Sequence, residues 1–130
     1  MKAIILAAGY ATRLYPLTLN KAKPLLEIGG KTVIDHILDK IKQTDITETI
    51  VVTNDKFYKD FETWNPGVTV LNDGTKNEQD RLESIGDINF ALKNVDEDFI
   101  IIAGDNLFTF DLNELLDFAK DKQYVITGRN

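Results

Sequence analysis

Short apolar runs alternate with longer amphipathic segments along the chain. Runs rich in Ile, Val and Phe predict β-strands at residues 3–8, 48–53, 68–71, 99–103 and 124–127. Between these runs, apolar residues recur every three or four positions, which indicates helices that face a core. The predicted helices cover about residues 33–42, 57–64, 80–92 and 111–119. Strand and helix therefore alternate over the whole length.

The predicted helices carry recognisable start signals. Thr32 with Asp35 three residues later resembles a capping box, and Asp111 with Glu114 gives the same signal. His36 falls on the outer face of the first helix, so we interpret it as a surface histidine and not as a ligand. The inner face of the third helix is predicted to be Leu82, Ile85, Ile88, Asn89 and Leu92.

Alternating strands and helices favour a parallel sheet with right-handed crossovers and helices on both faces. We therefore predict an α/β fold, a Rossmann-like three-layer sandwich with a mainly parallel sheet. Ligands of such sheets bind beyond the carboxyl ends of the strands. Four of the five predicted strands end in polar or glycine turns, and these should share that edge: Gly9 onward, Asn54-Asp55, Asn72-Asp73 and Gly104-Asp105.

Length and composition limit the possibilities. A chain of 130 residues with 43% apolar content can bury one core, which predicts a single domain over residues 1–130. Residues 3–8 are too short for a signal peptide or a membrane span, so we expect a cytoplasmic protein without membrane contact. The absence of cysteine and the lone His36 exclude a disulfide framework and a zinc cluster. Any metal should be a hard ion bound by oxygen.

The charge distribution points to a small anionic ligand. The net charge of −6 argues against nonspecific nucleic-acid binding, which needs a basic surface. Residues 3–34 nevertheless contain four basic side chains and one acid, a charge of +3 that leaves −9 for the remainder. A local positive region on an acidic body suits a small polyanion.

The first loop has the residues that a phosphate-binding loop needs. Gly9 permits a positive φ and a close approach of the backbone to a ligand. Ala7 and Ala8 have no side chain that would keep a nucleotide from the main chain. Arg13 offers a planar fork for phosphate oxygens, and Lys23 offers a compact charge.

Together, residues 6–9, 12–14, 16–18 and 23–25 resemble the signature of the sugar-phosphate nucleotidyltransferase family, LAAGxGTRLxPLT followed by KPL. The second glycine of that signature is Ala11 here. Alanine resists a left-handed backbone, which would shift the loop or weaken its grip on a ligand.

The resemblance implies an activity and its residues. The phosphate oxygen of a sugar or alcohol phosphate would attack the α-phosphorus of a nucleoside triphosphate, and pyrophosphate would leave. Arg13 and Lys23 match the family's catalytic arginine and lysine. Base contacts are expected from the segment that holds Arg81 and Gly86. The nucleotide-binding residues are thus predicted to be Leu6, Ala7, Ala8, Gly9, Thr12, Arg13, Lys23, Arg81 and Gly86.

Two further residues have both a functional and a structural interpretation. Asp105 follows a buried strand at the phosphate-binding edge, where a carboxylate suits Mg²⁺, and Gly104-Asp105-Asn106 resembles the family's metal-binding motif. The alternative for Asp105 is a turn residue or helix cap. Gly86 interrupts the third helix at a cost of about 1 kcal/mol relative to alanine. It would provide either close packing against the first loop or access for a base.

Other functions fit the sequence less well. No Gly-Lys-Ser/Thr follows the glycine loop, which argues against a P-loop NTPase, and the loop lacks dinucleotide-type glycine spacing, although Asp55 could act as a ribose ligand. The stronger alternative is a nucleotide-binding or partner-binding domain without turnover.

The resemblance covers only the nucleotide-binding part of the family's domain, so we expect a fragment. An isolated fragment would bind nucleotide weakly, and its open sheet edge near residues 124–127 would favour a homo-oligomer.

Overall fold

The computed structural model describes residues 1–10, 15–16, 20–77, 83–93, 95–104, 111–120 and 122, with only the backbone of residues 83–85. Strands and helices alternate along these residues. In chain order the elements are β1 (Lys2–Leu6), a 3₁₀ turn (Lys23–Leu25), β2 (Glu27–Ile28), β3 (Lys31–Thr32), α1 (Val33–Ile41), β4 (Glu48–Thr53), α2 (Tyr58–Trp64), β5 (Thr69–Asn72), α3 (Glu83–Leu92), β6 (Phe99–Ala103) and α4 (Leu112–Ala119).

The main sheet has four parallel strands in the order β5-β4-β1-β6. Ile4 of β1 lies opposite Ile50 of β4 on one side and Ile101 of β6 on the other. Numbered within the sheet alone, this is the order 3-2-1-4 of doubly wound folds, in which the chain changes direction at the first strand. The crevice between the carboxyl ends of β1 and β6 is therefore the expected ligand site.

Helices cover both faces of this sheet. On one face, Ile37 of α1, Phe61 of α2 and Leu112 of α4 join Ile5 and Val51 in a buried cluster. These positions are apolar at helical spacing on the helices and at alternate positions on the strands, as amphipathic elements around one core require. The predicted three-layer α/β architecture is confirmed.

The opposite face is covered by α3. Ala91 packs with Ile4, Ile50 and Val52 in a second buried cluster. Apolar residues point to both faces of β1 and β4, which explains the uninterrupted apolar runs in their sequences. Within the described part of the chain, no helix combines the length and apolar composition needed to cross a bilayer.

Several predicted boundaries agree with the structure. The bounds of β4 and β6 are those predicted, whereas β1 ends at Leu6, two residues early, and β5 is displaced by one residue. The predicted caps are present, since Asp35 N donates to Thr32 Oγ1 at 3.1 Å and Asn113 N donates to Asp111 Oδ1 at 2.9 Å. The predicted strand at residues 124–127 lies outside the described residues.

The predicted inner face of α3 is partly wrong. Asn89 is exposed, and the buried positions are Asp87 at 7% and Ala91 at 2% exposure. These two residues are one turn apart and so share a face of the helix. Ile88 and Leu92 are half-buried. Because Asp87 is charged, the prediction left it out of the core. The predicted buried face was therefore displaced around the helix axis from the observed one.

A small hairpin links the first loop to α1. Gly29 and Gly30 have φ of +63° and +85°, as the two central residues of a tight hairpin turn require. They join β2 to β3, which are antiparallel. His36 is half-buried and donates from Nε2 to the Ile28 carbonyl at 2.6 Å. It anchors the hairpin to α1 and lies outside the buried face of that helix, as predicted for a surface histidine.

The contact between α1 and α2 includes the single tryptophan. Trp64 Nε1 donates to Asp35 Oδ1 at 3.0 Å, and Thr32 Oγ1 donates to the other oxygen of the same carboxylate at 2.8 Å. The indole also meets the ring of Phe61 edge-on, with centroids 6.0 Å apart. One carboxylate thus connects the start of α1 with the end of α2.

Candidate active site

The carboxyl ends of the four parallel strands meet at one edge of the sheet. Directly after β1, Ala7 N donates to the Val52 carbonyl of β4 at 2.8 Å. Directly after β6, Gly104 N donates to the Leu6 carbonyl of β1 at 2.8 Å. The end of β1 is therefore bonded to both neighbouring strands. Leu6, predicted to contact the nucleotide, lies at the topological switch point.

The segment after β1 has a buried part and an open part. Ala7 and Ala8 are 3% and 4% exposed, whereas Gly9 is exposed. A Cβ built on Gly9 would meet nothing within 4 Å. The space beside Gly9 agrees with the predicted close approach of a ligand to the backbone. Gly9 does not use the positive φ that glycine permits, because its backbone lies outside the left-handed region that Gly29 and Gly30 occupy.

Asn54 holds this segment from the end of β4. Its side chain is 0% exposed. Nδ2 donates to the Ala8 carbonyl at 3.0 Å, and Oδ1 accepts from Phe57 N at 3.0 Å. Burying an amide costs free energy unless both ends find partners, and here both ends do. One side chain thus joins the first loop to the turn that leads into α2.

A second polar contact joins the same segment to the end of β5. The side chain of Tyr10 is 3% exposed, and its hydroxyl lies 3.5 Å from Thr75 Oγ1. Thr75 Oγ1 donates its single hydrogen to Asp73 Oδ1 at 2.7 Å, so Tyr10 is the donor to Thr75. The Tyr10 ring also packs against Phe57, with centroids 6.3 Å apart.

Lys23 lies on an anchored turn. It is the first residue of the 3₁₀ turn Lys23–Leu25, in which Leu25 N donates to the Ala22 carbonyl at 2.9 Å. Ala22 is 0% exposed and Leu25 is 5% exposed, so the turn is held by buried side chains on both sides of the lysine. Lys23 itself is half-buried. Its backbone position is therefore fixed by the fold.

Gly104 brings three segments into contact. A Cβ at this position would lie 2.7 Å from the Leu6 carbonyl oxygen, 3.2 Å from Ile5 Cγ2 and 3.3 Å from Pro24 Cγ. Only glycine lets the end of β6 approach both β1 and the turn that contains Lys23. Pro24, the neighbour of Lys23 in the turn, therefore lies beside the end of β6.

Several predicted site residues lie outside the described part of the chain. These are Thr12, Arg13, Arg81 and Asp105. Gly86 is half-buried within α3, the helix that packs against β1. Among the described residues, no group of three or more His, Cys, Asp or Glu side chains could hold a metal. A magnesium site with one or two carboxylates does not need such a group.

Sequence reasoning treated Asn54 only as part of an exit turn and did not single out Thr75. The available signal for Asn54 was a polar residue directly after an apolar strand and three residues before Phe57, the spacing of a side-chain cap. No comparable signal marks Thr75, because its role depends on the distant Tyr10. Gly104 was noted for its motif, and its packing role emerged from the structure.

Comparison with known proteins accounts for this arrangement. A model of the nucleotidyl transferase family matches residues 2–129. The chain belongs to this family. The parallel sheet and the Lys23 turn thus lie within a nucleotidyltransferase domain.

Individual nucleotidyltransferases resemble most of this chain. The bifunctional protein GlmU of Methanocaldococcus jannaschii is 35% identical over 120 residues, which are 91% of this chain and 28% of the relative. "Probable mannose-1-phosphate guanylyltransferase 3" of Oryza sativa subsp. japonica is 34% identical over 131 residues, 93% of this chain and 35% of the relative. The chain thus spans about a third of the length of these curated relatives.

A solved structure shows the same fold. The CTP:phosphocholine cytidylyltransferase of Streptococcus pneumoniae superposes with a TM-score of 0.67 at 26% identity. The match covers 85% of this chain and 47% of that one. The Rossmann-like architecture predicted from the sequence is therefore shared with a nucleotidyltransferase of known structure.

Proposed function

We propose that this chain binds a nucleoside triphosphate and takes part in Mg²⁺-dependent nucleotidyl transfer to a sugar phosphate or a related alcohol phosphate, with release of pyrophosphate. The observation that carries the proposal is the contact among the end of β1, the Lys23 turn and Gly104 at the switch point of the sheet. Family membership supports the general reaction. Two relatives are named for mannose 1-phosphate and phosphocholine, and these names support a phosphate monoester as the acceptor.

The described residues provide position and charge for such a reaction. The backbone of Gly9 is accessible to a nucleotide. The preceding residues, Ala7 and Ala8, are buried and anchor that backbone. Lys23 would place an ammonium beside the α-phosphate, where negative charge develops during transfer. Arg13, the family's catalytic arginine by resemblance, would hold the departing β and γ phosphates. The protein's contribution is mainly alignment and neutralisation of charge.

The donor chemistry at the edge fits magnesium. Asp105 directly follows Gly104, whose amide is bonded to Leu6 at the switch point. A carboxylate is a hard oxygen ligand of the kind that Mg²⁺ takes in proteins. Bound there, magnesium would withdraw charge from the phosphate oxygens. Asp105 is thus the residue that would hold the ion.

The test begins with binding and ends with turnover. Thermal shifts with a panel of nucleoside triphosphates and Mg²⁺ should identify the preferred base, and pyrophosphate release should follow with a panel of sugar and alcohol phosphates. We expect Lys23→Ala to reduce pyrophosphate release on the order of a hundredfold or more without loss of folding. Lys31→Ala is the matched control, because it removes an exposed lysine from the neighbouring hairpin.

Different outcomes separate the two candidate functions. Near-normal turnover in Lys23→Ala and Arg13→Ala would contradict the proposed roles. Nucleotide binding without pyrophosphate release for any acceptor would support the alternative, a nucleotide-binding domain without turnover. Ala11 in place of the signature glycine is the sequence feature that favours that alternative.

A further inference from the structure

The two bonds of Asn54 constrain the backbone on one side of Gly9. Nδ2 holds the Ala8 carbonyl from the buried interior. A trans peptide is planar, and its N–H points opposite to its C=O. The Ala8 carbonyl points towards Asn54, so the N–H of Gly9 points away from it. Gly9 is exposed, and a Cβ added to it would meet no atom within 4 Å, so a ligand can approach its backbone.

The other side of Gly9 is also held. Tyr10 is buried between Phe57 and Thr75 and bonded to the latter. The exposed glycine thus sits between two anchored residues. A hydrogen-bond donor fixed in this way binds an acceptor without first losing conformational freedom, which is the advantage of a preorganised site.

We propose that Asn54 is a positioning residue for nucleotide binding, which by its bond to the Ala8 carbonyl directs the Gly9 N–H towards an acceptor oxygen or nitrogen of the nucleoside triphosphate. This inference rests on the proposed function. Asn54 does not touch the nucleotide and acts only through the Ala8–Gly9 peptide. The bond to Phe57 N is a separate, structural role of the same side chain.

Two substitutions separate these roles. Asn54→Asp keeps an oxygen to accept from Phe57 N and replaces the Nδ2 donor by a carboxylate oxygen. Asn54→Thr is uncharged and keeps a hydroxyl suited to accepting from the backbone N–H three residues later. Its shorter side chain does not reach the Ala8 carbonyl. Both variants therefore preserve the turn before α2 and release the Ala8–Gly9 peptide.

Two control variants are needed. One controls for a general loss of stability, and the other controls for the effect of an Asn-to-Asp substitution as such. Asn65→Asp makes the same substitution at the opposite edge, where Asn65 accepts from Gly67 N and donates to the Val68 carbonyl. Phe61→Leu weakens the core at a fully buried ring without touching the first loop. Melting temperatures of all variants are measured first, and binding is compared well below the lowest of them.

The experiment measures nucleotide affinity and the Gly9 amide resonance. Calorimetric titration with the best-bound nucleoside triphosphate and Mg²⁺ should show roughly tenfold weaker binding in both Asn54 variants, the effect of about one hydrogen bond. The controls should stay within about twofold of the unsubstituted protein. In ¹H–¹⁵N spectra, the Gly9 amide should shift on nucleotide addition in the unsubstituted protein and both controls, and much less in the Asn54 variants.

The possible failures are distinguishable. Unchanged affinity and an unchanged Gly9 shift in both Asn54 variants would overturn the inference alone. A loss of affinity equal to that of Phe61→Leu at matched stability would also overturn it, because Asn54 would then act only through folding. No binding of any nucleoside triphosphate to the unsubstituted protein would overturn the proposed function, and this inference with it.

Discussion

The two edges of the main sheet use polar side chains in opposite ways. At the amino edge, Met1 pairs with Glu97 at 3.5 Å and Lys2 pairs with Glu48 at 3.4 Å, and both carboxylates are 42% exposed. At the carboxyl edge, the Asn54 side chain is fully buried and bonded to backbone groups of two other segments. The amino edge is a solvated surface, and the described part of the carboxyl edge contains a layer of buried polar contacts.

This difference shows at which edge of the sheet the positions of polar side chains matter for stability. Exposed ion pairs contribute little to folding, so the amino edge can vary in sequence at small cost. A buried polar group is expensive when its partner is lost, so the carboxyl edge tolerates change poorly. Proteins retain buried polar groups that orient a backbone segment. Here such groups orient the loop that carries Gly9.

The largest effect is expected from Gly104→Ala. The new Cβ would press on the Leu6 carbonyl, a backbone atom that cannot move aside as a flexible side chain could. We expect a loss of about 2–3 kcal/mol in the free energy of unfolding, measured by urea denaturation. Gly9→Ala is the control, since its Cβ enters open space. Equal stability of the two variants would show that the edge is less tightly packed than described.

A matched pair of threonines compares the edges directly. Thr75→Val removes the hydroxyl that Asp73 and Tyr10 share at the carboxyl edge, and should cost about 1–2 kcal/mol. Thr47→Val removes an exposed hydroxyl that donates to the Met1 carbonyl at 3.2 Å, and should cost less than about 0.5 kcal/mol. Urea denaturation of both variants measures the difference. A larger loss at Thr47 would reverse the comparison.

Glu48→Gln tests the amino edge alone. The substitution removes the charge that faces Lys2 and keeps an oxygen that can accept from Thr69 Oγ1. We expect a change below about 0.5 kcal/mol, and a smaller one still at high salt because screening weakens exposed pairs. Denaturation at two salt concentrations measures it. A strong, salt-insensitive loss would contradict the description of this edge as a solvated surface.

The smallest effect should come from an exposed pair away from both edges. The hydrogen bond and charge of Lys31 hold the pKa of Asp39 below its ordinary value of 3.8. A lowered pKa in the folded state stabilises the protein above the unfolded-state value, and this contribution is lost as the pH falls through the lower folded-state pKa. In Lys31→Gln the pKa of Asp39 should rise towards 3.8, as an NMR titration of its carboxyl would show.

The sequence predicted the layers well because local patterns decide them. The bounds of β4 and β6 and the cap on Thr32 depend on neighbouring residues, and all agree with the structure. The polar layer was harder to predict because its bonds join distant residues. Tyr10 and Thr75 are 65 positions apart, and neither shows in its own neighbourhood that it has a partner. Asp87 was missed for a related reason, since a charged residue is expected outside the core.

The predicted site also has features that the sequence indicated and features that it did not. The resemblance pointed to Lys23 and to the segment Leu6 to Gly9, and the structure places the Lys23 turn and the end of β1 together beside Gly104. Gly9 does not use the positive φ that glycine permits, and it provides open space beside the backbone. The roles of all the predicted site residues stay predictions, and Thr12, Arg13, Arg81 and Asp105 lie outside the described residues.

The bond between Trp64 and Asp35 gives the molecule an internal optical reporter. Only one indole is present in the sequence, so the tryptophan emission has a single source. That source senses the junction of α1 and α2, where its N–H meets a carboxylate. Separation of the two helices would alter the solvation of the ring and therefore its emission. Denaturation can thus be followed by fluorescence without attaching a dye to the carboxyl edge of the sheet.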